Sequence, residues 1–196
     1  MKMKKLLITG FEPFGGETIN PSWESVKLLP DEIGGTLLTK MCIPVTFDDA
    51  AKMIIDASLS VRPDAILCIG QAGGRDCITP ELVGINLRYA KIPDNNGCQP
   101  KDEAVIKGDE NAYFSTLPMR KMADAINSSG VLSKVSYSAG AYVCNDVLYT
   151  LLSYFNGTKT RVGFIHIPYC TEQNKEPSMS IADIVKGLTV AIENMD

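Results

Sequence analysis

Histidine is almost missing from this sequence: 196 residues hold one, His166. A zinc centre built on imidazoles has poor raw material here, and any imidazole base must be that residue. No pair of the six cysteines (Cys42, Cys68, Cys77, Cys98, Cys144, Cys170) is spaced as CxxC, so no zinc ribbon or thioredoxin-like motif is written into the chain. Long apolar runs are lacking too. No stretch approaches the ~20 residues of a membrane span. The apolar run behind the basic start MKMKK, Leu6 to Ile8, stops at Thr9 and Gly10, short of the ~7–15 residues of a signal-peptide core. Basic charge is scarce: 19 Lys and Arg stand against 23 Asp and Glu, a net charge of −4. Neither nucleic acid nor a membrane surface is an expected partner. The thiols are expected to be free, in a cytoplasmic, reducing compartment.

What is present is an ordinary globular composition, 45% hydrophobic and 21% charged, at a length that suits one domain, residues 1–196. Apolar runs bounded by Gly or Pro alternate with segments of helical period. KLLITG, GGTLLTKMCIPVTF, DAILCIGQAGG, ELVGINLRYA, KVSYSAG and RVGFIHIP read as strands. PSWESVKLL, DDAAKMIIDASLS, PMRKMADAINSSG, VCNDVLYTLLSYFN and SMSIADIVKGLTVAIENM read as helices, with Pro21 in a first turn and Asp48 or Asp49 as a cap. IPDNNGCQPKDEA reads as a loop. The alternation predicts an α/β fold, a three-layer sandwich with a largely parallel central sheet and helices on both faces, an architecture that phosphorylase- and hydrolase-like enzymes share. Loops at the carboxyl ends of such strands gather at one edge, where ligands bind. GFEPFGG, GQAGGR, SAGAYVCN and HIPY fall there.

GFEPFGGET imitates a phosphate loop, but Gly16 and Glu17 stand where the lysine and the Ser/Thr belong, and the glutamate repels phosphate. Its aromatics, Phe11 and Phe14, suit the walls of a flat apolar pocket. GQAGGR lacks the GxGxxG spacing and lets backbone approach a ligand closely. Cys144 lies in or just before the first turn of an apolar helix, behind Ala139, Gly140 and Ala141. Unpaired N–H groups and the helix dipole favour thiolate there and suit an oxyanion. His166 ends an apolar strand and emerges at the same edge, giving a nucleophile–base pair. A third group must fix the imidazole. Glu81 is placed for that near the GQAGGR loop, with Asp94 and Asp146 competing.

Five stretches in register, GFEPFGG…NPSW, GQAGGR…ITPE, KIPDNNGCQP, AGAYVCN and FIHIPY, resemble the pyroglutamyl peptidase I family of cysteine peptidases. The resemblance runs from Lys5 to about Gly187. It implies a Cys144–His166–Glu81 triad, no metal or cofactor, and removal of N-terminal pyroglutamate from peptides through a thioester. It implies that Phe11 and Phe14 flank the lactam, that Gln71 offers backbone hydrogen bonds to it, and that Thr46, Ile92 and Val143 complete the pocket. It also implies dimers or tetramers; the apolar, Pro-rich loops around Ile92 and Ile167 suit either an interface or a mobile lid. Three positions depart from the family pattern: Lys91 and Leu82 stand where arginine is common, and Gly84 where alanine is. A lysine at 91 keeps the charge but loses the planar fork.

Overall fold

The computed structural model describes residues 3–196; Met1 and Lys2, the start of the basic cluster, lie outside the described residues. In chain order the elements are β1 (Lys4–Phe11), α1 (Pro21–Leu28), β2 (Glu32–Ile33), β3 (Thr36–Ile43), α2 (Asp49–Val61) and β4 (Ala65–Gln71). Five short strands follow, β5 (Thr79–Pro80), β6 (Val83–Ile85), β7 (Arg88–Tyr89), β8 (Lys101–Glu103) and β9 (Ala112–Phe114). The chain closes with α3 (Met119–Ser128), α4 (Val143–Tyr154), β10 (Arg161–Ile167), β11 (Tyr169–Cys170), β12 (Ser178–Met179) and α5 (Ile181–Glu193).

The central sheet has the order β2-β3-β1-β4-β10-β5. Its four inner strands are parallel, and β2 and β5 close the two edges antiparallel. β4 and the inner parts of β1 and β10 are apolar because both faces are covered, whereas β3 alternates between buried and exposed residues along its first half. Leu6, Ile8, Leu67, Ile69, Ile165 and Ile167 pack with Val26 of α1, Met122 of α3 and Leu188 of α5. Their neighbours of opposite parity, Leu7, Phe11, Ile66, Cys68 and Phe164, pack with Ile54 of α2 and Val147 of α4. Side chains alternate across a strand, so His166, two residues after Phe164, belongs to the α2–α4 side. Phe11, Gln71 and Ile167 end their strands at one edge, as the α/β reading requires.

Four local expectations change. KVSYSAG forms no strand of its own; Ser136, with Ser133 just before the segment, makes an isolated parallel bridge to Glu81 and Ile78 respectively, and Tyr137 of its alternating side chains stays exposed. ELVGINLRYA breaks between β6 and β7. The side-chain amide of Asn145 intervenes there, accepting from Ile85 N–H at 2.9 Å and donating to the Ile85 and Leu87 carbonyls at 2.9 and 3.0 Å. Asp48 stands before α2 but makes no side-chain cap; its carboxylate pairs with Arg88 instead. The last helix begins at Ile181, where Ser180 Oγ accepts from Asp183 N–H at 3.1 Å, and Ser178–Met179 belong to β12. Ile167 itself, the last residue of β10, is fully buried.

Candidate active site

Cys144 is the second residue of α4. Asp146 N–H is bonded to Tyr142 C=O at 3.1 Å, so the N–H groups of Val143, Cys144 and Asn145 precede the first intrahelical bond and are free for a ligand. The thiol is partly buried and presses on the sheet at Gly70. A Cβ built at Gly70 would lie 3.0 Å from Cys144 Sγ and 2.7 Å from Phe164 Cζ. Gly70 is the register partner of His166 on the neighbouring strand. Paired residues of a parallel sheet sit about 4.8 Å apart on the same face. The sulfur therefore occupies the room left by the missing side chain, beside the imidazole. No hydrogen bond joins the two in this structure; such contacts often tighten only when substrate binds.

His166 is nearly enclosed, and its Nδ1 lies 2.7 Å from Glu81 Oε1. An ionised carboxylate only accepts, so Nδ1 carries the proton and Nε2 keeps its lone pair. Glu81 reaches this point because its backbone is pinned to the same strand. Thr79 and Pro80 of β5 pair with His166 and Ile165, and Glu81 N–H donates to Phe164 C=O at 2.9 Å. Arg75 of the glycine loop also donates to Glu81 Oε1, at 2.6 Å.

Burial works to raise the Glu81 carboxyl, but the hydrogen bond and charge of His166, with Arg75, hold it below its ordinary value. Burial holds the imidazole of His166 below its ordinary value, against the pull of Glu81 and with that of Arg75. The Cys144 thiol is pushed up to about 12, first by burial and then by the Glu81 charge. The helix terminus favours thiolate, whereas burial and the Glu81 charge favour the neutral thiol.

The two competing carboxylates are committed elsewhere. Asp146 is fully buried and bonded to Arg88 Nε at 2.6 Å. Asp94 accepts from the N–H groups of Phe47, Asn96 and Cys98 at 2.9, 2.9 and 2.8 Å, holding its own loop. Only Glu81 touches the imidazole.

Beside the thiol lies a narrow slot of about 30 Å³ lined by Phe11, Phe14, Asn20, Val45, Gln71, Tyr142 and Cys144. Three expected pocket residues, Phe11, Phe14 and Gln71, are thus brought to the sulfur. Lys91 and Ile92 line an adjoining apolar cavity of about 280 Å³, which shares Phe14 and Tyr142 with the slot. Thr46 faces a different cleft, with Glu12, Asp49 and Lys52. Successive residues of an extended segment point to opposite sides, and here Val45 takes the place at the slot. Val143 is fully buried behind the nucleophile. Sequence reasoning missed Tyr142, Arg75 and Gly70; the lone cation in GQAGGR was the available signal for Arg75.

Residues 4–196 match the family described as pyroglutamyl peptidase. The chain belongs to that family. It is 49% identical over 196 residues to pyrrolidone-carboxylate peptidase 1 of Streptococcus pneumoniae serotype 4, covering 96% of this chain and 91% of the relative. The pyrrolidone-carboxylate peptidase of Thermococcus onnurineus is 45% identical over 194 residues, with coverage of 96% and 97%. Among solved structures, the fold superposes on pyroglutamyl peptidase I of Bacillus amyloliquefaciens with a TM-score of 0.94 at 43% identity, over 98% of this chain and 96% of that one. The family's fold is the three-layer α/β arrangement described above.

Proposed function

We propose that this member of the family works through a thioester on Cys144, with His166 as base and acid and Glu81 as its orienting carboxylate. The chain is a cysteine-type peptidase that removes N-terminal pyroglutamate. The observation that carries the mechanism is the Glu81–His166 contact at 2.7 Å, on the strand beside the thiol.

The lactam ring enters between Phe11 and Phe14, parting Phe14 from Tyr142. Pyroglutamate has no free amine, so its slot needs apolar walls and a few polar groups; the Gln71 backbone supplies these at the end of β4. A free N-terminal glutamate is rejected because its charges would be desolvated without partners. His166 Nε2 takes the thiol proton as sulfur attacks the pyroglutamyl carbonyl carbon. The N–H of Cys144 holds the oxyanion. The C–N bond breaks as the imidazolium gives its proton to the leaving amine. Water then gives a proton to Nε2 and attacks the thioester; the second tetrahedral adduct collapses, sulfur leaves and regains the proton, and pyroglutamate departs. Glu81 stabilises the imidazolium formed in each half. Lys91 and Ile92 lie where the neighbouring part of the substrate passes, and Val143 supports the slot from behind.

The reading extends to one catalytic domain over residues 1–196, a cytoplasmic setting that suits six unpaired thiols, and a dimer or tetramer. Exposed Tyr89 and Ile92 offer apolar surface for such contacts. The direct test is fluorophore release from pyroglutamyl-aminocoumarin beside its prolyl and alanyl analogues, before and after iodoacetamide. Selective cleavage lost on alkylation is expected. Equal cleavage of all three, or indifference to alkylation, overturns the reading.

A further inference from the structure

Arg75 takes no part in the steps above, yet it touches their carboxylate. One terminal nitrogen of its guanidinium donates to Glu81 Oε1 at 2.6 Å and also to Thr79 Oγ1. The other donates to Ser138 C=O at 3.0 Å. Glu81 Oε1 therefore receives both Arg75 and His166 Nδ1, while Oε2 is buried without a partner. A guanidinium serving as a plain ion pair would engage both oxygens in a fork. Here it takes the oxygen that His166 uses and spends its second nitrogen on the segment leading into α4, six residues before Cys144. The loop after β4, the carboxylate beyond β5 and the approach to the nucleophile are joined at one side chain.

We propose that Arg75 is a positioning residue for the reaction: it clamps the Glu81 carboxylate against His166 and ties that pair to the backbone that presents Cys144. The proposal rests on the Cys144–His166–Glu81 reading. Two consequences follow from the placement. The carboxylate cannot turn its bonded oxygen away from the imidazole without breaking a charge-assisted hydrogen bond. The fixed cation also opposes protonation of His166 at rest, keeping it available as a base. The groups facing His166 are Glu81 and Arg75 from the stretch between β4 and β6, and Cys144 from α4; among the described residues no other charged side chain is bonded to Glu81 or His166.

The test is kcat, KM and the pH dependence of kcat/KM for Arg75→Gln, Arg75→Lys, Glu81→Gln and Cys144→Ser, each with its melting temperature. Arg75→Gln is expected to lower kcat by about 10- to 100-fold, as loss of an outer partner does at other sites. KM should change little, and the acid limb should move up by roughly one pH unit. Arg75→Lys keeps the charge and loses the second nitrogen that reaches Ser138 C=O, so its acid limb stays in place while kcat falls part-way. Wild-type kcat or an unmoved acid limb in Arg75→Gln, or an Arg75→Lys protein indistinguishable from Arg75→Gln, overturns the clamp. If Arg75→Gln fails to fold, Arg75→Lys decides: a reduced kcat with an unmoved limb supports the clamp, and wild-type kcat removes it. Full turnover in Cys144→Ser or Glu81→Gln would instead sink the underlying triad.

Discussion

Gly70→Ala adds one methyl group at the point where sheet, thiol and imidazole meet. The backbone accepts it, because Gly70 is not among the positive-φ residues. The new carbon would stand 2.7 and 2.9 Å from Phe164 Cζ and Cε1, and 3.0 Å from Cys144 Sγ. Ordinary carbon contacts begin near 3.5 Å, so the sulfur or the ring must give way by several tenths of an ångström. Overpacking of this kind costs about 1–3 kcal/mol, offset by about 0.4–1 kcal/mol from a stiffer unfolded chain. At ~2–4 °C per kcal/mol for a chain of this size, melting falls by about 10 °C at most. Activity should fall much further. A displacement of ~1 Å in a reacting group costs on the order of 10²-fold, and here the group displaced is the nucleophile. The assay is kcat/KM on pyroglutamyl-aminocoumarin at 25 °C, where the variant is folded, with the melting curve alongside. A Gly70→Ala protein with wild-type kcat/KM would refute the placement of Sγ over Gly70.

Other perturbations separate chemistry from architecture. Burial depresses the imidazole, so the acid limb of kcat/KM should lie below the ordinary histidine value of about 6.5; a limb at or above that value would contradict the buried neutral base. The same shift makes stability pH-dependent. The unfolded chain takes up the His166 proton first, so stability that is complete above the ordinary value is lost as pH falls towards the folded one, and Glu81, also depressed, adds a loss at lower pH. Melting curves across that range should show both declines. With Cys144 pushed up to about 12, its alkylation by iodoacetamide should keep accelerating above pH 9; a plateau near neutrality would mean a resting thiolate. Asp146→Ala strands Arg88, whose side chain is 13% exposed. Breaking such a pair costs about 3–5 kcal/mol, with the lower end expected because Asp48 still holds Arg88. Stability should suffer while kcat at 25 °C survives, and loss of kcat without loss of stability would restore Asp146 as a catalytic candidate.

The parts legible in the sequence are those where one physical requirement dominates. β1, β4 and β10 are buried on both faces, so they read as unbroken apolar runs between punctuating residues. Their common edge follows from parallel topology, and that alone brought Cys144 and His166 together. The choice among Glu81, Asp94 and Asp146 was not legible from spacing, because it depends on which backbone β10 pairs with; residues 79–81 lie against it, and the other two carboxylates serve Arg88 and a loop. Asn145 was invisible for a related reason: a side-chain amide replacing strand partners leaves no periodic trace. Gly70 looked like a glycine that lets backbone approach a ligand, and its actual use, room for a sulfur from another element, exists only after folding. The thiol's surroundings were half legible, since the helix terminus is local and readable whereas the desolvation that opposes it is set by residues distant in the chain.

The claim at the centre is that the Cys144 sulfur attacks the pyroglutamyl carbonyl. Its most direct test is turnover of pyroglutamyl-aminocoumarin by Cys144→Ser protein with an unchanged melting temperature, beside Cys42→Ser and Cys98→Ser controls. The account predicts that turnover falls by several orders of magnitude in the first and stays at the wild-type level in the controls. Cleavage by Cys144→Ser at the wild-type rate would contradict it.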